Sequence, residues 1–405
     1  MNVATVSAGK TAMRVTVGRG ERAPAPRRTV PAMQTVWPYM LIPRPAAIAP
    51  LRFPFDEPGL RYRYFARNAV WDAVKILGLA GKEVLIPAYH HGVELETLVA
   101  AGVKPVFFRV DGQMKNDLED AKKRITKNTA AFYLIHYAGF PQDVDGARQL
   151  CTEFGLPLVE DCALSLLSRR GREPLGSFGD VSIFCIYKTL PVPNGGALLV
   201  KDHLRSKLAE LDEPTQPPLP STASHLVGSL LSNLELRAGP AGTMARQAIR
   251  NAGRWAVSRG KVDRVSTGTQ HFNEADVGLG MSAASHIVLR NQDTAGIVER
   301  RRRNYFFLHA ALRDVAPPLT GELPPGVCPL FYPLALQDKA AAMARLLARG
   351  VETVDFWRVR HPLVAAGLFP EVEKLRETVL ELPIHQDLSP ADMDHVAACV
   401  REMLG

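Results

Sequence analysis

Between residues 60 and 200 the apolar positions follow two alternating rhythms. "NAVWDAVKILGLAGK" sets Ala69, Val70, Ala73, Val74 and Leu77 at helical spacing and ends among glycines at 78 and 81. A short apolar run, "EVLIPAY", follows as a strand, then a helix over "VELETLVAAG", a strand "KPVFFRVD" and a helix over "DLEDAKKRI". The strand "AAFYLIHY", the helix "DGARQLCTEFG" and the strand "LPLVED" continue the alternation, and "VSIFCIY" reads as one more buried strand closed by Lys188. Short strands separated by single helices predict an α/β fold with a mostly parallel, doubly wound sheet.

On either side the rhythm changes. Residues 31 to about 60, including "WPYMLIPRPAAIAPLRFPF", are rich in proline and read as an extended lead-in. Residues 201 to 270 read as helical. "HIVLRNQDTAGIVERRRRNYFFLHAALRDV" reads as one long helix, followed by a proline-rich break at 317 to 328 and a smaller α+β segment from "FYPLALQ" onward. The expected division is a disordered or extended N-terminal lead-in over 1–60, a large domain over 61–290 and a small C-terminal α+β domain over 291–405.

Composition narrows the class. Hydrophobic residues make up 46% and charged residues 22% of 405 residues, the balance of an ordinary globular chain with ample core material. No stretch approaches the apolar length of a membrane helix, and the first thirty residues lack the apolar core of a secretory signal. Of the net charge of +8, a net of +5 lies in those thirty residues, where Lys10, Arg14, Arg19, Arg22, Arg27 and Arg28 face Glu21 alone. The basic tail reads as a disordered leader, with an organelle-targeting extension as the alternative. Five cysteines, odd in number and without a C-x-x-C pair, argue against zinc or a disulfide framework and fit a reducing cytoplasm, and no metal site is expected. Arg246, Arg250 and Arg254 share one helix face, either solvated or docking a phosphate-bearing or acidic partner. Neither a helix-turn-helix nor a basic stretch with interleaved aromatics points to nucleic acid.

The chemistry gathers at strand ends, where open α/β sheets bind ligands. Asp161 closes "LPLVED", His136 and Tyr137 close "AAFYLIHY", and Lys188 stands at the end of "VSIFCIY". An ammonium is costly to bury unless it is paired or consumed by chemistry. One chemistry suits such an aspartate and lysine: pyridoxal phosphate enzymes hold the cofactor as a Schiff base on lysine and set a carboxylate against the pyridine nitrogen. A structural Asp–Lys ion pair has the same spacing.

The blocks "VLIPAYHHGVELETLVAAGVKPVFFRVD", "HYAGFPQDVDG", "GLPLVEDCA", "LGSFGDVSIFCIYKTLPVPNGGALLV" and "ELPIHQDLSPADMDHV" resemble, in order, the DegT–DnrJ–StrS sugar-nucleotide aminotransferases. These are fold-type-I pyridoxal phosphate enzymes, and the resemblance covers roughly residues 60 to 405. It implies pyridoxal 5'-phosphate as cofactor, Lys188 as the residue that carries it and Asp161 as the partner of its ring nitrogen. The phosphate would fall at the helix start formed by Ala66, Arg67 and Asn68, with Asn68 alternatively a plain N-cap. The stacking aromatic would be His91, and His385 in "LPIH" is a candidate for the small-domain side. Glutamate or another amino acid would donate the amine, a keto sugar, nucleotide-linked, would accept it, and the active sites would form in a homodimer.

Three departures accompany the resemblance. Leu164 replaces a Gln or His near the cofactor's phenolic oxygen. Ile183 replaces a phosphate-binding serine, leaving Cys185 or Ser182 as substitutes. "GLGMS" puts Gly278 and Gly280 where a polar pair reaches the partner subunit. The alternatives are a dehydratase-like reaction with the same cofactor, against which Lys188 argues because that branch carries histidine, and a non-catalytic fold-type-I binding or regulatory protein.

Overall fold

The computed structural model describes residues 29–257 and 272–405, with side chains left out from 250 to 257. The basic tail and the side chains of Arg250 and Arg254 therefore lie outside the described residues. Nine strands come first along the chain: β1 (Leu60–Arg63), β2 (Glu83–Pro87), β3 (Lys104–Phe108), β4 (Thr129–Ile135), β5 (Leu158–Cys162), β6 (Arg169–Arg170), β7 (Glu173–Pro174), β8 (Val181–Cys185) and β9 (Gly196–Val200). Seven of them form one sheet in the order β1-β9-β8-β5-β4-β2-β3, while β6 and β7 pair in a small ribbon. Within the large sheet only β9 runs against its neighbours. The sheet is thus the mostly parallel one that the alternation predicts.

β5, β8 and β9 are buried along their whole length, as expected of near-continuous apolar runs covered on both faces. The helices start and stop where local chemistry directs. Ala66–Leu77 ends at Gly78 in the left-handed conformation, φ 60°, which a glycine adopts without a Cβ penalty. Asp143 caps Val144–Phe154 by accepting from the Gly146 N–H. Because β3 and β4 flank β2 on opposite sides, the crossovers diverge there and leave a crevice at the carboxyl ends of the strands.

Two expectations are corrected. Lys188 does not close a strand: β8 ends at Cys185, and the lysine sits on a short helical turn, Ile186–Thr189. The Ile186 N–H bonds Gly195 O and ends the ladder with β9, and the Leu190 N–H closes the turn on Ile186 O. The single long helix over 286–315 is two helices, Ala283–Arg290 and Thr294–Leu312. Asn291 breaks it by donating its side-chain amide to the carbonyls of Met40, Ile42 and Ile287, and Asp293 caps the second helix through the Gly296 N–H.

Beyond these helices three antiparallel strands, β10 (Tyr332–Ala335), β11 (Val354–Asp355) and β12 (Val379–Leu382), form a second sheet in the order β10-β12-β11. One buried cation stitches it to the first: Arg376 donates to the carbonyls of Ala88, His90, Trp357 and Val359. The lead-in is held just as firmly. Val30 bridges Val351, Thr35 bonds Asp387, and Val30, Thr35 and Val36 are buried. No helix among the described residues is long and apolar enough to cross a membrane.

Gly196, paired with Arg63 and Cys185, lets the start of the helix Ala66–Leu77 press onto β9, because a Cβ there would collide with the backbone of Phe65 and Ala66. Gly196→Ala is expected to cost about 2–3 kcal/mol of stability, as overpacking does. A urea titration would read this as a lower midpoint with an unchanged slope.

Candidate active site

A cavity of about 370 Å³ opens at the carboxyl ends of the strands, lined by Phe65, Ala66, Arg67, His91, Glu94, Asp161, Leu164, Ile183, Cys185 and Lys188 among others. Register explains part of this set. Ile135 of β4 lies opposite Asp161 of β5, and strand alternation puts Tyr133 on the same face as Ile135. Tyr133 donates its hydroxyl to Asp161 Oδ2 at 2.6 Å, and the Ala163 N–H donates to Oδ1 at 2.8 Å. Burial pushes the Asp161 carboxyl up, while these two hydrogen bonds and the Lys188 charge pull it back. A carboxylate has lone pairs for more than two donors, so Asp161 keeps capacity for another on its cavity side.

Lys188 reaches the cavity from its helical turn. It makes no ion pair among the described residues, yet its charge is felt by Asp161, Glu94, Glu381 and His91. His91 follows β2, and burial lowers its imidazole to about 3, with Lys188, Arg376 and Arg67 pushing the same way. It therefore presents a neutral ring at physiological pH. Arg67 lies over the Phe65 ring at 4.4 Å, and burial lowers its guanidinium from the ordinary value. Burial raises the Cys185 thiol, so this residue offers a neutral S–H.

Asn68 lies outside the lining. Its amide donates to the carbonyls of Asp276 at 2.6 Å and Val277 at 3.1 Å. The N-cap of its helix is Phe65, which has no side-chain cap bond, and Ala66 and Arg67 of the first turn line the cavity. One glycine of "GLGMS" has a structural reason: Gly280 donates to Thr215 O at 2.7 Å, and a Cβ there would meet Pro214 at 2.8 Å, whereas a Cβ at Gly278 would meet open space.

A second cavity of about 330 Å³ shares Lys188, His91, Leu164 and Trp357 with the first and adds Asp355, Arg358, Glu381 and His385. Lys188 stands between the two. Burial pushes the Glu381 carboxyl up to about 8, against the pull of Lys188 and Lys339. His385 lines this side, but its Nε2 is spent on Pro31 O at 3.0 Å. Trp357 holds a positive φ of 46° with its ring stacked on Phe356, a conformation that costs a bulky residue energy and that the packing maintains.

His136, expected beside this chemistry, is spent elsewhere. Its Nε2 bonds Glu160 Oε1 at 3.0 Å and its Nδ1 accepts from the Gln142 N–H. Glu160 also accepts the N–H groups of Gly176, Phe178 and Gly179. Burial alone would raise the Glu160 carboxyl, but these partners hold it below its usual range. With Cys162 the two residues have the look of a metal-ligand trio, but their ligand atoms are consumed by this network.

The sequence profile of the DegT/DnrJ/EryC1/StrS aminotransferase family matches residues 68–214. A GDP-perosamine synthase of Vibrio cholerae is 35% identical over 131 residues, 31% of this chain and 36% of that protein, so this chain aligns with about a third of that relative's length. A dTDP-4-dehydro-2,3,6-trideoxy-D-glucose 4-aminotransferase of Saccharopolyspora spinosa is 27% identical over 81% of this chain and 80% of its own. The family profile thus covers about a third of this chain, from the helix that begins at Ala66 to beyond β9. Among solved structures, the aminotransferase TlmJ of Streptoalloteichus hindustanus superposes with a TM-score of 0.60 at 24% identity over 85% of both chains, placing the fold with this family's fold-type-I enzymes.

Family members work with pyridoxal 5'-phosphate, and the cavity fits that group. Asp161 keeps acceptor capacity for a ring N–H, the uncapped helix start beside Arg67 suits a phosphate, and His91 offers a flat neutral ring. Leu164 and Ile183 add apolar walls.

Glu94 gives this site a pH signature. Burial and the Asp161 charge raise its carboxyl from 4.5 to about 7, so between those values the folded chain binds more protons than the unfolded one, and stability falls as pH rises. Urea unfolding of the cofactor-free protein at pH 5 and pH 8 should show a pH-dependent change in stability that differs between the parent and Glu94→Gln by about 2–3 kcal/mol, the parent losing more.

Proposed function

We propose that this protein is a pyridoxal phosphate-dependent aminotransferase that takes an amino group from an amino acid, glutamate, and delivers it to a keto sugar linked to a nucleotide. Such a reaction supplies amino sugars to polysaccharide or glycoconjugate precursors. The observation that carries the reading is that Asp161 and Lys188 line one cavity large enough for a small cofactor.

When bound, the cofactor supplies an electron sink for the α-carbon of an amine. Asp161, fixed by Tyr133 and the Ala163 N–H, sets a carboxylate where it favours a protonated ring nitrogen. Arg67 and the N–H groups of the first helical turn hold the phosphate, and Cys185 sits at the same wall. Lys188, standing between the cavities, carries the group at rest and moves a proton at the substrate α-carbon. Trp357 and the second cavity receive the rest of the substrate and shield it from water. The lysine favours transamination over the dehydratase-like alternative.

The same reading makes residues 61–290 the cofactor-binding unit and 291–405 the unit that closes over the substrate. It includes a homodimer in the cytoplasm. The similarity to the Vibrio GDP-perosamine synthase and the Saccharopolyspora dTDP-sugar 4-aminotransferase supports a nucleotide sugar as acceptor.

With glutamate and a panel of keto-sugar nucleotides, 2-oxoglutarate release should match amine gain in the sugar, mole for mole by mass spectrometry. Lys188→Ala is expected to lower turnover by about 10²–10⁴-fold, the worth of a positioned proton-transfer group. Asp161→Asn should lose about 10²–10³-fold, as when one preorganised electrostatic partner is removed. Full turnover in either variant would refute the assignment.

A further inference from the structure

The short turn that carries Lys188 has an unusual shortage of internal partners. Ile186–Thr189 is only four residues long, and it runs into Pro191 and Pro193, which have no N–H to offer. Its last carbonyls therefore need donors from outside, as every helix end does. Apart from the Val192 N–H on Leu190 O, those donors are side chains from three remote parts of the chain.

Gln34, in the lead-in, donates its amide to Tyr187 O at 2.7 Å and to Leu190 O at 3.2 Å. Thr189 O accepts from Arg301 Nη2 at 3.2 Å and from Gln386 Nε2 at 3.1 Å. The donors also orient one another: Arg301 Nε donates to Gln386 Oε1 at 2.8 Å, and its Nη2 donates to Gln34 Oε1 at 3.1 Å. Both amides thus have their oxygens tied to one guanidinium and their N–H groups aimed at the turn. All three side chains are buried.

We infer that Gln34, Arg301 and Gln386 form a positioning device for Lys188, clamping the backbone on both sides of the lysine and so setting where its amine stands between the two cavities. Gln34 also lines both cavities, so it joins the turn to their shared wall. Its segment is anchored by the pairing of Val30 with Val351, by Thr35 on Asp387 and by the Val36 N–H on Ser229. The lead-in therefore serves as a strap that brings an amide to the reacting residue. Gln386 and Arg301 tie the same turn to the C-terminal part of the chain, so a shift of that part would reach Lys188 through its own backbone. A displacement of about 1 Å at a reacting group can cost on the order of a hundredfold in rate.

The inference rests on Lys188 being the reacting amine of the proposed transaminase. One readout is chosen not to depend on that. In Gln34→Met, which keeps the volume but cannot donate, amide exchange over residues 186–192 of the cofactor-free protein should quicken about tenfold or more, with β4 and β5 unchanged. In the loaded protein the pH midpoint of the lysine–cofactor absorbance band should move, and kcat should fall by about ten- to a hundredfold with KM for the amino acid held within about twofold. If Gln34→Met fails to fold, Gln386→Met, which loses the bond to Thr189 O and the acceptor for Arg301 Nε but leaves Gln34 in place, is read the same way. Equal exchange in parent and variant, quickening shared by β4 and β5, or an unmoved midpoint would each overturn the device.

Discussion

The site depends on a carboxylate held out of water within the electrostatic reach of an amine. Asp161 is almost completely buried, and burial drives it toward its neutral form; Tyr133, the Ala163 N–H and the charge of Lys188 are what resist that drive. The balance is poised rather than settled, since two neutral donors do not replace a cation. If Lys188 is engaged through its nitrogen, a different positive partner must face Asp161 to keep it ionised. A protonated ring nitrogen is such a partner, which is why the aspartate and the lysine make sense as a pair and not singly.

Everything around that pair controls where it sits. The parallel strands β4, β5 and β8 deliver Tyr133, Asp161 and the lysine turn to one edge of the sheet, and the divergence of crossovers beside β2 leaves the room. The second sheet closes the other side with Trp357 and Glu381, and buried Arg376 fixes its approach by binding four carbonyls drawn from both parts. Arg301 does the same for the strap and the lysine turn. Two buried guanidiniums, each spent on neutral acceptors from distant segments, therefore define how the parts meet. Such groups contribute geometry more than net stability, because their desolvation offsets much of the hydrogen bonding.

Much of the sheet was legible because its strands are short apolar runs between amphipathic helices, and the period changes at each junction. Asp161 and Lys188 were legible as polar residues ending apolar runs. Tyr133 could have been found the same way, since alternation puts it on the face of Ile135, opposite Asp161. Gln34 could not: its role comes from a segment 153 residues away from Tyr187 in sequence, folded back across the site. Nor could the break at Asn291, whose amide competes for carbonyls of the lead-in that no local pattern reveals. Asn68 misled because a helix start and a side chain aimed at the site look alike in sequence, whereas its amide is bound to Asp276 and Val277. His136 misled for the opposite reason, a polar strand end whose partner, Glu160, faces away from the cavity.

The most direct measurement is chemical. Incubating the protein with pyridoxal 5'-phosphate, reducing with borohydride and mapping the peptides should put the mass of one reduced cofactor on the peptide holding Lys188, with uptake lost in Lys188→Ala. An adduct that survives that substitution, or that falls on other lysines in proportion to their exposure, would contradict the account.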